Sequence, residues 1–163
     1  MEQIIFKPSL YKYGTCKEFA EGFQLKETDL ILTNEYIYEP YFGELDLPCH
    51  VVYQEQYGMG EPSDVMAEAI LKDISGLSFD RIIAIGGGTI IDLAKVFAVA
   101  DTTDMDELYA RMPALNKAKV LVIIPTTCGT GSEVTNIAVL NRTRMGTKMG
   151  MVAPTMYADH AVL

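Results

Sequence analysis

Metal ligands are scarce in this chain. Only two histidines occur, His50 and His160, far apart, and the three cysteines (Cys16, Cys49 and Cys128) form no CxxC pair. That inventory is poor for a transition-metal site and gives no sign of zinc. An odd cysteine count at irregular spacings points to a reducing, cytoplasmic setting. Basic residues are also few: 13 Lys and Arg against 22 Asp and Glu leave a formal net charge of -9. A nucleic-acid surface would need clustered cations to overcome that charge. The densest basic stretch, 141–148, reads as a short turn, so no nucleic-acid partner is expected. No apolar run is long enough to span a membrane. The opening residues Met1-Glu2-Gln3-Ile4-Ile5-Phe6 lack the basic head and long apolar core of a secretory signal. Internal repeats, low-complexity tracts and long charged linkers are missing too.

The chain has 163 residues, 49% of them hydrophobic and 21% charged, which suits one globular domain with a substantial core. Apolar runs at 29–33, 50–53, 81–85 and 120–124 are nearly continuous and rich in β-branched residues, as strands buried on both faces are. Helical patterns lie between them. One covers 63–74 behind the start signal Pro62-Ser63-Asp64, and another covers 90–100 and is apolar enough to be mostly covered. Strands alternating with helices predict an α/β fold with a Rossmann-like parallel sheet flanked by helices. Two regions break the alternation. Residues 4–13 read as an extended arm, and 134–152, with turn signals at Asn141 and Gly146, read as a β-hairpin. The last residues, 157–163, are apolar and strand-like, which is expected of a piece of a longer polypeptide.

Two glycine-rich turns, each launched from a buried strand, carry the chemistry. The first is Gly86-Gly87-Gly88-Thr89 after 81–85; the second is Pro125-Thr126-Thr127-Cys128-Gly129-Thr130-Gly131-Ser132-Glu133 after 120–124. A strand ending in a bare-backbone turn that opens a helix presents free N–H groups and a positive dipole end to phosphate. Neither common fingerprint fits the first turn. Ile91 stands where the Rossmann pattern needs its third glycine, and Lys95 comes too late for a P-loop. A tight turn holding no ligand remains the alternative. Thr89 and Asp92 have capping-box spacing. In an open parallel sheet ligands bind beyond the carboxyl ends of the strands, so both turns should share one edge. There Thr126, Thr127 and Thr130 would offer hydroxyls. Cys128 reads as a small buried thiol rather than a nucleophile. Asn34 or Glu35, at the end of the 29–33 strand, would either sense an adenosine ribose or cap the next helix. The two histidines read as structural and the methionines as packing residues.

Gly86-Gly87-Gly88-Thr89-x-x-Asp92-x-Ala94-Lys95 resembles the GGGSxxDxAK motif of iron-containing (group III) alcohol dehydrogenases. The string 125–133 is similar to that family's PTTxGTGSE motif, and Lys148, Pro154 and Asp159 follow in the same pattern. Within the family the likeness is strongest to the 4-hydroxybutyrate dehydrogenase branch. The resemblance implies a dehydroquinate synthase-like N-terminal domain over 1–163 that binds NAD(P). It also implies a helical C-terminal domain, absent here, holding Fe²⁺ or another divalent ion. No residue of this chain matches that domain's metal ligands, and none is assigned a catalytic role. The implied reaction is metal-assisted hydride transfer between nicotinamide and a small-molecule alcohol or aldehyde, 4-hydroxybutyrate and succinate semialdehyde for this branch. The chain alone is expected to be inactive.

Carried over by position, Gly86, Gly87, Gly88 and Thr89 would cradle the pyrophosphate. Thr126, Thr127 and Thr130 would line the nicotinamide side, and Lys148 would approach the nicotinamide ribose. Asp92 is assigned to capping and loop order. Many members carry Asp where this chain has Asn34, so NAD is preferred but NADP is excluded less firmly. Members often dimerise through the N-terminal arm, so a homo-oligomer is expected. Two alternatives stay open: a stand-alone nucleotide-binding module, and a relative of glycerol or glycerol-phosphate dehydrogenases or of dehydroquinate synthase.

Overall fold

The computed structural model describes residues 7–163. Its elements run β1 (Ser9–Tyr11), α1 (Cys16–Gly22), β2 (Asp29–Thr33), α2 (Glu35–Phe42), β3 (His50–Tyr53), α3 (Asp64–Ile74), β4 (Arg81–Gly86), α4 (Gly88–Val99), α5 (Met105–Ala110), β5 (Val120–Pro125), β6 (Ile137–Arg142), β7 (Thr147–Val152) and β8 (His160–Val162). Six strands form one sheet in the order β1-β8-β5-β4-β2-β3, and every pairing is parallel. Strands β6 and β7 make a separate antiparallel hairpin.

Both faces of the central strands are covered, and their side chains sort by alternation. Leu30, Leu32, Ile82, Ala84, Leu121 and Ile123 pack with α3, α4 and α5, while Ile31, Ile83, Ile85 and Val122 pack with α1 and α2. This two-sided burial is why the strands read as unbroken apolar runs. The expected α/β architecture is therefore present, with the hairpin at 137–152 where the turn signals placed it.

Several local details depart from the sequence reading. Helix α4 begins at Gly88, two residues before the apolar pattern becomes visible. Its N-cap is Gly87, with no side-chain capping bond, so Thr89 and Asp92 do not form a capping box. Instead Thr89 Oγ1 donates to the Gly60 carbonyl at 3.3 Å, and Asp92 Oδ2 accepts from the Val139 N–H at 2.9 Å. Cys128 is exposed rather than buried, because the loop after β5 leaves the core before reaching it. Met66, Met105, Met151 and Met156 are core residues, whereas Met59 and Met145 are exposed. Of the arm at 4–13, residues 4–6 lie outside the described residues; Ser9–Tyr11 form an edge strand beside β8. Helices α1 and α5 were not foreseen; α2 starts at Glu35 with Asn34 as its N-cap residue, in line with the capping alternative, though Asn34 makes no side-chain capping bond.

Candidate functional site

Strands β4 and β5 lie side by side in register through Gly86 and Pro125, so both glycine-rich turns leave the same edge of the sheet. The Thr126 N–H donates to the Gly86 carbonyl at 3.1 Å and ties the two turns together at their bases. Gly86 must be bare for a steric reason: a Cβ there would lie 2.5 Å from Ile90 Cγ1 and 2.8 Å from Ile90 Cβ. Such distances are impossible without moving the first turn of α4. The close approach lets the helix start directly above the strand end.

The first backbone bond of α4 runs from the Ile91 N–H to the Gly87 carbonyl at 3.1 Å. The N–H groups of Gly88, Thr89 and Ile90 therefore have no acceptor within the helix. With no side-chain cap at Gly87, they form a donor cluster at the positive end of a 12-residue helix. Cavities open on either side of this point. One of about 210 Å³ reaches Asn34, Gln54 and Glu55, and includes Gly87, Gly88 and Thr89. The other, about 590 Å³, is lined by Gly87, Thr126, Thr127 and apolar or aromatic side chains including Tyr36 and Tyr41. Gly87 and Tyr36 border both.

Six of the residues singled out by sequence thus converge: Asn34, Gly87, Gly88, Thr89, Thr126 and Thr127. Gly86 sits beneath them as the last residue of β4. Thr130 and Lys148 line neither cavity. The Thr130 Oγ1 accepts the Ser132 N–H at 3.4 Å within its own exposed loop. The Lys148 Nζ, on β7, is paired at 2.7 Å with Glu61 from the loop before α3. The residues that sequence reasoning missed are Gln54, Glu55 and Tyr36. Gln54 and Glu55 directly follow β3, so the strand-end rule that singled out Asn34 applies to them equally.

Behind the donor cluster, Asp92 and Lys95 fasten α4 to the hairpin. Lys95 is wholly buried, and its Nζ donates to the Ile137 carbonyl at 2.8 Å and to Thr135 Oγ1 at 3.1 Å. It lies 3.9 Å from Asp92 Oδ1, which has no hydrogen-bond partner among the described residues. Burial pulls the Lys95 ammonium down to about 8, with Asp92 and Glu133 acting against that fall. Burial likewise raises the Asp92 carboxyl, against the Val139 N–H and Lys95. Among the described residues no three His, Cys, Asp or Glu converge as a metal-ligand group would, and no helix is long and apolar enough to cross a membrane.

The chain is similar in sequence and fold to known proteins. The chain is 44% identical over its whole length to 4-hydroxybutyrate dehydrogenase of Clostridium kluyveri, covering 44% of that protein. It is 36% identical over 105 residues to sulfoacetaldehyde reductase of Bilophila wadsworthia, 63% of this chain and 27% of that one. Among solved structures, the iron-containing alcohol dehydrogenase of Thermococcus thioreducens superposes with a TM-score of 0.77 at 25% identity, over 99% of this chain and 46% of that one. The fold also matches sulfoacetaldehyde reductase of Bifidobacterium kashiwanohense, a structure in complex with NAD+, at a TM-score of 0.79 and 22% identity, over 99% of this chain and 46% of that one. The chain thus spans under half the length of these relatives. The sequence model described as iron-containing alcohol dehydrogenase matches residues 7–163, and with the glycine cradle, the threonine loop and the hairpin in place, the chain belongs to the iron-containing alcohol dehydrogenase family.

Proposed function

We propose that this chain is the NAD-binding part of a metal-assisted alcohol dehydrogenase that interconverts 4-hydroxybutyrate and succinate semialdehyde. The observation that carries the binding reading is the uncapped N-terminus of α4, with its donor cluster set between two cavities on one sheet edge. A diphosphate laid across Gly87, Gly88 and Thr89 would accept from those N–H groups and meet the positive end of the helix dipole. Asn34 then faces the adenosine ribose, and Thr126 and Thr127 face the nicotinamide half. Thr130 and Lys148 line neither cavity and are assigned no contact with the dinucleotide.

The dinucleotide, when bound, supplies the hydride acceptor for alcohol oxidation, and the alcohol's proton leaves to solvent. Residues of this chain bind and orient the dinucleotide. The described residues do not fit a metal, so no step through one is assigned to them. The substrate assignment rests on the 44% identity to 4-hydroxybutyrate dehydrogenase. The chain alone lacks turnover on this reading. We further infer a cytoplasmic setting, from the free cysteines, and association through β1, an edge strand with Leu10 and Tyr11 exposed.

Calorimetric titration of the chain with NAD tests the binding reading. Saturation at one NAD per chain supports it, and no heat up to about 1 mM NAD, the upper end of ordinary cofactor and substrate affinities, sinks it. Activity is tested separately with NAD, 4-hydroxybutyrate and Fe²⁺. Turnover by the chain alone, at a rate ordinary for a complete dehydrogenase, would refute its assignment as the binding part only.

A further inference from the structure

Asn34 stands where a ribose-sensing carboxylate is usual in nucleotide folds, yet a carboxylate is present in the same cavity. Both hydrogens of the Asn34 amide are engaged: Nδ2 donates to Glu55 Oε2 at 2.8 Å and to Gln54 Oε1 at 3.2 Å. Asn34 is the N-cap residue of α2 but makes no side-chain capping bond. Its place is taken by Glu55, whose Oε1 accepts the Glu35 N–H at 2.7 Å. The Glu55 carboxylate is thus fixed at both oxygens, at the positive end of α2, on the wall of the cavity that also holds Gly88 and Thr89. No lysine or arginine lines that cavity among the described residues.

Accepting one bond at each oxygen leaves the Glu55 carboxylate with free lone pairs, and Asn34 Oδ1 is a further acceptor. The wall therefore offers acceptors and negative charge. Ribose hydroxyls are donors and match it. A 2′-phosphate is an acceptor-only dianion that would meet a carboxylate and no cation. We propose that Glu55 reads the adenosine ribose hydroxyls of the bound dinucleotide and sets the preference for NAD over NADP, with Asn34 as the residue that positions it. This rests on the dinucleotide reading above. It restores, from the end of β3, the charge that Asn34 lacks at the end of β2.

Titrations of the chain with NAD, NADP and NAD lacking the adenosine 2′-hydroxyl test the proposal. The unaltered chain should bind NAD about tenfold or more tightly than either analogue, the range of one hydrogen bond to a charged group. Glu55→Gln should narrow the NAD-to-NADP ratio about tenfold and weaken NAD more than the deoxy analogue. NAD bound with an unchanged ratio in Glu55→Gln makes Glu55 a helix cap only and overturns the assignment while leaving the dinucleotide reading intact. A preference for NADP in the unaltered chain does the same. Binding of neither dinucleotide overturns both. Should Glu55→Gln fail to fold for want of its tie to α2, Asn34→Ser takes its place: of the two bonds that hold Glu55 it releases only the one at Oε2, along with the Asn34 bond to Gln54. There NAD must weaken more than the deoxy analogue, and equal weakening overturns the proposal.

Discussion

The two glycine-rich turns leave neighbouring strands at one sheet edge, yet they are ordered by different means. The first is held from within: β4 is buried from Ile82 to Gly86, and α4 starts one residue after Gly87 against the Gly86 backbone. The second is held from outside. Residues 126–130 are largely exposed and lead only to a short turn at Ser132–Val134. What fixes that segment is the hairpin beyond it, gripped by Asp92 and Lys95 of α4 and by Asp64 of α3. Sequence patterns look alike in the two places because glycine serves both. The difference is that the first turn's geometry is set by local sterics and the second's by polar contacts from residues 40 or more positions away.

The strongest way to break this contrast is Asp64→Ala. Asp64 is fully buried and accepts from the Val65 N–H, the Thr143 N–H and hydroxyl, and Arg142 Nε. Removing it leaves buried Arg142 with only the exposed Asp106 as ion-pair partner and strips the Thr143 donors of their acceptor, a loss of about 3 kcal/mol. Amide exchange should rise first in β6 and β7 and around Ser132–Val134, with β4 and the first turn of α4 unchanged. Equal loss in α4 would refute the distinction. Burial alone would raise the Asp64 carboxyl, but its bonds from Thr143, Val65 and Arg142 outweigh that and hold it below its ordinary 3.8. Its contribution is therefore present above 3.8 and disappears as pH falls through the lowered folded value. Acid should loosen the hairpin before the sheet.

Gly86→Ala attacks the self-contained turn. The new methyl meets Ile90 at its branched Cβ, which cannot swing aside, so overpacking should cost about 2 kcal/mol. Melting temperature reads the loss directly. NAD affinity should fall with it, because the displaced residues carry the α4 donor cluster. A variant as stable as its parent would mean that α4 can slide along the strand end, and the first turn would no longer count as locally fixed.

Lys95→Met probes the tie between the turns. It leaves the Ile137 carbonyl and Thr135 hydroxyl without their donor, a cost of about 1.5 kcal/mol, and should loosen the second turn but not the first. Its pH signature has the same sign as that of Asp64, stability rising with pH, but lies in an alkaline window and reflects the relief of a burial penalty. The folded ammonium sits at about 8, below its ordinary 10.5, so between those values the unfolded chain binds more protons. The unaltered chain should gain stability relative to Lys95→Met as pH rises from 8 to 10.5. Denaturant midpoints of the pair give this difference with other titrations cancelled, and a falling difference would contradict the buried-amine geometry.

The sheet was legible because two-sided burial writes unbroken apolar runs into β2, β4 and β5, and the hairpin because turn residues bracket it. Six cavity-lining residues were legible from glycine, hydroxyl and amide placement at strand ends. Glu55 was not, since a lone acid after a short strand looks like any solvated charge until β3 is seen beside β2. The role of Asp92 was misread for a related reason. Its spacing from Thr89 matches a cap, but its partner is the Val139 N–H, 47 residues away, and spacing carries no information about contacts at that range. Helix α1 was missed, and α2 was marked only by its cap position, because their buried faces, Phe19 with Ala20 and Tyr38 with Phe42, are too short for a clear period.

The smallest expected effect separates the turns most cleanly. Gly129 has φ +94, a conformation that L side chains rarely adopt, yet a Cβ there would meet nothing within 4 Å. Gly129→Ala should therefore cost about 1 kcal/mol through backbone strain alone, against the roughly doubled cost of overpacking at Gly86. Because the strained residue is exposed and its loop is held only at its base, by Thr126 on Gly86, and beyond Ser132, the chain can relieve part of that strain by shifting 128–131. The expected result is a small drop in melting temperature with a measurable loss of NAD affinity, since Thr127 adjoins the shifted residues. If stability falls as far as in Gly86→Ala, the second turn is packed as rigidly as the first. In that case the anchoring by Lys95 and Asp64 extends back through the whole loop rather than ending at the hairpin.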